Sequence, residues 1–283
     1  MSTQKIALIT GANRGIGFET ARQLGKQGIK VLIGARGEEK GKEAEATLKA
    51  EGLDVEYINI DVDNAATHAT AAKTIEEKYG KRDILINNAG IFLTDKEFDN
   101  GVPVPASKTS AETFRKTFDT NFFNTIDVTQ ALLPLVKKSD AGRIVFLSSG
   151  LGSLGLHSDP KSEIYNYKVP AYNISKTALN GYVVHLAHEL RNTNIKVNAA
   201  HPGSVVTDIT ARYRSRKGQK RRSISRRCPL TDIRATLSIS AMNCPGKNAI
   251  TRPQRLALNL PISGLEDYIY VNPSRPDRKR LLS

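Results

Sequence analysis

Eight residues near the amino terminus, Thr10-Gly11-Ala12-Asn13-Arg14-Gly15-Ile16-Gly17, constrain this chain more than any other stretch. They join a short apolar run, Ile6–Ile9, to a segment of helical period over about 15–28. Glycines at that junction let the backbone reverse sharply. The helix then starts beside the end of the strand, with its free N–H groups and positive dipole end facing outward. A glycine triplet on its own is an ordinary turn as often as an anion cradle. Its place between a strand and a helix is what gives it meaning.

The same alternation recurs along the chain. Apolar runs too short for helices lie at Ile6–Ile9, Lys30–Ile33, Val55–Ile60, Ile84–Asn87, Arg143–Leu147 and Ile195–Ala199. Segments of helical period separate them, at about 15–28, 38–51, 64–80, 111–137 and 171–192. Near-continuous apolarity marks strands buried on both faces, so the expected fold is α/β: a Rossmann-type, doubly wound parallel sheet with helices on both faces. The stretches 92–110 and 150–170, rich in Gly and Pro, read as loops.

A net charge of +14 invites nucleic acid as a partner until the charge is located. Residues 1–209 hold 25 Lys and Arg against 24 Asp and Glu, while residues 210–283 hold 17 against 4. The basicity therefore belongs to the last quarter, and two regions are expected: a cofactor-binding domain at 1–209 and an atypical basic segment at 210–283. Nucleic acid is not the expected partner of the domain. No apolar run reaches the 18 residues that a membrane span needs. The start of the chain carries no apolar leader, and Cys228 and Cys244 are too few for a disulfide framework, which together fit a reducing, cytoplasmic compartment.

In the expected fold, ligands bind at the carboxyl ends of the strands. The glycine turn places Gly11, Asn13, Arg14, Gly15, Ile16 and Gly17 at the first of these ends, where a dinucleotide pyrophosphate can rest on the helix N-terminus. No Lys-Ser/Thr follows, which argues against an NTPase phosphate loop. The second strand ends in Gly34-Ala35-Arg36, without the acidic residue that commonly holds an unmodified ribose. Arg36 and Arg14 together suit a 2′-phosphate, so NADP(H) is the expected cofactor; two solvated arginines are the plainer reading. Asp61-Val62 follows the third strand, with Asp61 either an adenine contact or a helix N-cap. Asn88-Ala89-Gly90 closes the fourth with small side chains that let backbone pass close to a ribose.

Tyr172 and Lys176 stand one helical turn apart, after a strand that ends in Ser148-Ser149. With Asn121 and the segment Pro202-Gly203-Ser204-Val205-Val206-Thr207, these residues resemble the short-chain dehydrogenase/reductase family over about residues 4–209, and carbonyl reductases within it. The interval of 23 residues from Ser149 to Tyr172 implies an insert at about 156–168 beside the site. The resemblance implies a nicotinamide enzyme that interconverts a small-molecule carbonyl and alcohol. Tyr172 would be the general acid, its pKa lowered by Lys176. Ser149 would steady the developing alkoxide, with Ser148 as the alternative serine. Asn121 would keep a water-linked proton path to Lys176, or else only cap or kink its helix. Pro202, Gly203, Val205 and Thr207 would hold the carboxamide end of the cofactor.

Rival readings are an alcohol or steroid dehydrogenase working oxidatively, and a non-catalytic nucleotide-binding relative. Beyond residue 209 the family's usual lid and final strand are not recognisable. That segment reads as an out-of-frame or mis-spliced tail, as a divergent lid with a replacement strand near Leu265–Val271, or as a basic arm for nucleic acid. Tyr213 and Lys217 share the Tyr-x-x-x-Lys spacing by coincidence. Substrate identity and oligomeric state are not legible.

Overall fold

The computed structural model describes residues 4–93 and 104–203. Six parallel strands form one sheet: β1 (Ile6–Thr10), β2 (Lys30–Ala35), β3 (Val55–Asn59), β4 (Ile84–Asn87), β5 (Arg143–Leu147) and β6 (Lys196–Ala200). Their order is β3-β2-β1-β4-β5-β6. The chain first winds outward from β1 to β3, then returns to β4 and winds the other way. The reversal leaves a crevice between the carboxyl ends of β1 and β4.

Alternation within each strand explains why both faces must be covered. On β1, Ile6 and Leu8 enter a core with Ile75 of α3 (Ala65–Tyr79), Leu132 of α5 (Asn124–Lys137) and Leu179 of α7 (Pro170–Glu189). Ala7 and Ile9 enter the opposite core, with Leu24 of α1 (Gly15–Gly25) and Leu48 of α2 (Glu38–Ala50). Each of these β1 side chains is at least nine-tenths buried. The expected doubly wound sheet is what the structure shows.

Three expected elements differ. The helix expected over 111–137 is α4 (Ala111–Phe118) and α5 separated by a π-helical turn, Asp119–Phe123. The stretch 150–170, expected as loop, contains a 3-10 turn, Gly150–Gly152, and the short helix α6 (Leu154–Ser158). Ser149 and Ser153 cap these with their hydroxyls, a local signal that the glycines around them had masked. The first helix ends at Gly25 rather than near 28, because Gly28 takes the left-handed φ of 76° and closes the turn into β2. No helix among the described residues is long and apolar enough to cross a membrane. The 210–283 segment, with Arg212–Arg227, Tyr213, Lys217 and Leu265–Val271, lies outside the described residues.

One core residue conflicts with its surroundings. Arg82, just before β4, is completely buried. Its Nη2 donates to the Leu132 carbonyl at 3.1 Å, but Nε and Nη1 have no partner among the described residues. Burial alone lowers its pKa to about 9. The cost of holding that charge is fully present below pH 9 and relaxes as pH rises towards the unfolded value. Arg82→Met should therefore raise stability at neutral pH by about 1–3 kcal/mol, since Leu132 keeps its helical partner. Urea unfolding of both proteins at pH 7 checks this; equal or lower stability for the variant would refute it.

Candidate functional site

The crevice at the sheet's open end is lined by residues from all six strand ends. From the first turn come Gly11, Asn13, Arg14, Gly15 and Ile16, and from the end of β2 comes Arg36. Asp61 and Val62 follow β3, while Asn88, Ala89 and Gly90 follow β4. Tyr172, Lys176 and Pro202 close the other side. Gly17 lies buried behind the turn, and Gly203 follows β6 with φ 73°. Val205 and Thr207 lie outside the described residues.

The glycine turn is tied down by its neighbour strand. The Asn88 side-chain amide donates to the carbonyls of Thr10 (2.8 Å) and Gly11 (3.1 Å). In return the Thr10 hydroxyl accepts the backbone N–H groups of Asn88 and Ala89, both at 3.0 Å. Gly11 is left-handed, with φ 65°. A Cβ on Gly17 would stand 2.5 Å from Asn88 Nδ2 and 2.6 Å from the Gly11 carbonyl oxygen. Backbone thus fills the space a side chain would take, and α1 begins with no acidic residue in its first turn and no side-chain cap from Arg14. This is a cradle suited to an anion, and a dinucleotide pyrophosphate fits it.

At the end of β2, Arg36 is exposed at the crevice rim, as is Arg14. The nearest carboxylate along the chain, Glu38, pairs with Lys42 on its own helix at 2.6 Å. No acid stands where a ribose diol would need one on this turn. Asp61 is not a helix cap: Asn64 caps α3, its side chain accepting from Ala66 N–H. Asp61 instead lines the crevice, with Oδ1 accepting from Asp63 N–H at 3.2 Å.

The chemistry-bearing side chains gather where α7 begins. Lys176 is 5% exposed, and its Nζ donates to the Leu147 carbonyl at 2.7 Å. Burial pushes its pKa down to about 8. Its Nζ stands 5.7 Å from the centre of the Tyr172 ring. Burial raises the Tyr172 pKa, and a hydrogen bond from the Ser149 hydroxyl works the other way. The expected lowering by Lys176 is thus not the leading effect here: the phenol sits in a dry pocket, with the Phe92 ring 4.9 Å from its own. The two serines separate by geometry. Ser149 meets the phenol, whereas the Ser148 hydroxyl donates to Asn180 Oδ1 at 2.6 Å.

Asn121 sits in the π-helical turn, 1% exposed. Its Oδ1 accepts from Ile91 N–H at 2.7 Å, and its Nδ2 donates to the Ile91 carbonyl at 2.9 Å and to Ser175 Oγ at 3.2 Å. A Cβ on Gly90 would lie 3.1 Å from Asn121 Oδ1 and 3.7 Å from Lys176 Nζ, so both groups flank one glycine. Residues 157 and 167, from the stretch expected as an insert, contact the start of α7. The Asn173 side-chain amide donates to the Tyr167 carbonyl at 3.1 Å, and its Nδ2 is 3.1 Å from His157 Nε2. Thr10, Phe92, Ser175 and Asn180 were not singled out as site residues by the sequence reading. For Asn180 a signal existed, a polar residue one turn beyond Lys176 on the same helix face.

Comparison with known proteins agrees with this geometry. The family profile described as "short chain dehydrogenase" matches residues 5–218. Among curated relatives, short-chain dehydrogenase anuI of Penicillium roqueforti is 39% identical, over 73% of this chain and 81% of its own. The (+)-neomenthol dehydrogenase of Arabidopsis thaliana is 34% identical, over 73% and 85%. Among solved structures, an actinorhodin polyketide ketoreductase with NADPH superposes with a TM-score of 0.63 at 30% identity, covering 76% of this chain and 77% of that one.

The cradle makes a sharp prediction. Gly17→Ala should cost about 1–3 kcal/mol of stability, because the added carbon meets backbone that cannot move aside. Gly181→Ala, where a Cβ meets nothing within 4 Å in the middle of α7, should instead stabilise by about 0.5–1 kcal/mol. Thermal melts of the two variants test the pair; a neutral Gly17→Ala would refute the close packing.

Proposed function

The chain belongs to the short-chain dehydrogenase family, and we propose that it is an NADP(H)-dependent oxidoreductase that reduces a carbonyl group of an aldehyde, ketone or quinone to an alcohol. The observation that carries this reading is the meeting of Tyr172, Ser149 and Lys176 beside the crevice that the glycine turn opens. We assign the reductase domain to residues 1–209, with residues 210–283 a basic stretch of the sequence.

Gly11, Asn13, Gly15, Ile16 and Gly17 would hold the pyrophosphate, with Arg14 and Arg36 on the 2′-phosphate. Asp61 and Val62 would face the adenine, Asn88, Ala89, Gly90 and Lys176 the ribose, and Pro202, Gly203, Val205 and Thr207 the carboxamide. When bound, the nicotinamide supplies the hydride. Tyr172 gives its proton to the carbonyl oxygen as charge develops there. Burial keeps that phenol protonated at neutral pH. Ser149, beside the phenol, would turn its one hydroxyl proton from the phenol oxygen to that carbonyl oxygen. The Lys176 ammonium faces the Tyr172 ring and offsets the growing negative charge on the phenol. Asn121 fixes the Gly90–Ile91 backbone, and its Oδ1 faces the same glycine as the Lys176 amine. The ketoreductase solved with NADPH supports the choice of cofactor, and the missing acid at β2 supports it independently.

NADPH oxidation against a panel of aldehydes, ketones and quinones tests the reading. Tyr172→Phe should lower kcat by at least about 100-fold with NADPH affinity unchanged. For the native enzyme, kcat/KM should hold at neutral pH and fall as pH rises through about 8, where Lys176 loses its proton. Undiminished turnover in Tyr172→Phe would overturn the proposed mechanism.

Cofactor choice is a separate test. Arg36→Asp should weaken NADPH at least about tenfold while leaving NADH within about twofold, since only NADPH brings a phosphate to that turn. Equal losses for both cofactors, measured by fluorescence titration, would remove Arg36 from the site.

A further inference from the structure

Ser149 reaches the phenol only if the chain on both sides of it is held, and one residue of α7 contacts both sides. The Ser148 hydroxyl donates to Asn180 Oδ1 at 2.6 Å. The other end of the same amide, Asn180 Nδ2, donates to the Gly152 carbonyl at 3.4 Å. One side chain thus spans the segment that carries Ser149. The backbone there is pressed onto α7: a Cβ on Gly152 would lie 2.9 Å from the Lys176 carbonyl carbon and 3.0 Å from Asn180 Nδ2. The two ends of the grip are unequal. The Gly152 carbonyl also accepts from the Thr177 hydroxyl at 3.0 Å, so it stays held without Asn180. At the other end the Ser148 N–H donates to the Ala200 carbonyl of β6 at 2.8 Å, so it is the Ser148 side chain, immediately before Ser149, that depends on the amide oxygen.

We propose that Asn180 is a positioning residue, which fixes Ser149 against Tyr172 by holding Ser148 and Gly152 to the helix that carries Tyr172 and Lys176. The proposal rests on the reading of Ser149 and Tyr172 as the pair that meets the carbonyl oxygen. Asn180 itself touches neither substrate nor cofactor in this scheme. Its effect is transmitted through the main chain of residues 148–152, where the Ser149 hydroxyl also accepts from Leu151 N–H at 3.2 Å and caps the 3-10 turn. Displacing Ser148 therefore moves both the turn and the hydroxyl that draws the phenol's pKa down.

The test uses the full chain with Asn180→Leu, Ser148→Ala, the double variant and Tyr172→Phe. Readouts are kcat, KM, NADPH affinity, melting temperature and the pH profile of kcat. Asn180→Leu should lower kcat by about 10–100-fold, less than loss of an oxyanion donor outright, with NADPH affinity within about twofold. Beyond the step at about 8 where Lys176 titrates, the further loss of kcat where the phenol itself ionises should move to higher pH, because a loosened Ser149 no longer favours the phenolate. Ser148→Ala should reproduce both changes, and the double variant should be no worse than the poorer single one, as expected of two ends of one contact. A lowered melting temperature with kcat and pH limb unchanged would overturn the proposal, as would losses that multiply in the double variant. If Asn180→Leu does not fold, Ser148→Ala decides by the same two readouts. Tyr172→Phe separates the two levels. If it is inactive while Asn180→Leu behaves as native, only the grip is wrong; if it keeps full turnover, the catalytic reading falls and the grip with it.

Discussion

Burial of β1 and its neighbours on both faces is the constraint from which the site follows. Leu8 and Ile9 are adjacent in sequence and both completely buried, yet they belong to different cores. Such a strand is stable only with helices above and below, and parallel crossovers are what supply them. All six strands then run the same way, so every strand-to-helix turn leaves the sheet at one end. Reversal of the winding between β1 and β4 prevents the turns there from covering one another. Thr10 and Asn88 occupy that gap and tie its two walls together by four hydrogen bonds.

The two halves of the crevice work by different means. On the β1–β2 side the ligand-facing groups are backbone N–H groups at a helix start and two exposed arginines, a surface ready for phosphate. Beneath Tyr172 the important groups are neutral hydroxyls, amides and carbonyls around one buried lysine. Lys176 rests on the Leu147 carbonyl, and Ser175 bridges Asn121 Nδ2 to the Tyr172 carbonyl. Low dielectric there strengthens each hydrogen bond and raises the cost of a missing one. The same dryness holds the phenol protonated and draws the amine towards its neutral form. Lys176 is thereby held near its titration point at physiological pH, beside a phenol that stays protonated.

Much of this was legible in the chain. Strand cores were readable because a residue buried on both faces leaves an apolar run with no alternation, and all six runs became strands. The glycine turn was readable because backbone conformation there excludes side chains. The arrangement of hydroxyls was not. Ser149 was the expected serine with Ser148 as the alternative, but that Asn180 occupies Ser148 is a contact across 32 residues that no local pattern encodes. The π-helical turn was equally hidden, since its sequence, Asp119-Thr120-Asn121-Phe122-Phe123, carries no Pro or Gly to break a regular helix. Its partners are tertiary: Asp63 Oδ1 accepts from Thr120 Oγ1 within the turn and from Asn124 Nδ2 just after it.

That turn shows how the fold converts packing into chemistry. A regular helix from 111 to 137 would carry Asn121 past the end of β4 at the 3.6-residue repeat. Widening the helix by one residue re-aims a single side chain, and here the re-aimed amide seizes both backbone polar groups of Ile91. The stretch that follows β4 is thereby fixed, and Gly90 is held between the Asn121 oxygen and the Lys176 amine. The distortion is confined to five residues, with α4 and α5 resuming on either side and Asp63 Oδ1 holding Thr120 and Asn124. Order at this end of the crevice is therefore built from main-chain groups fixed by the Asn121 amide and the buried Lys176, with one carboxylate, Asp63, holding the turn that aims the amide.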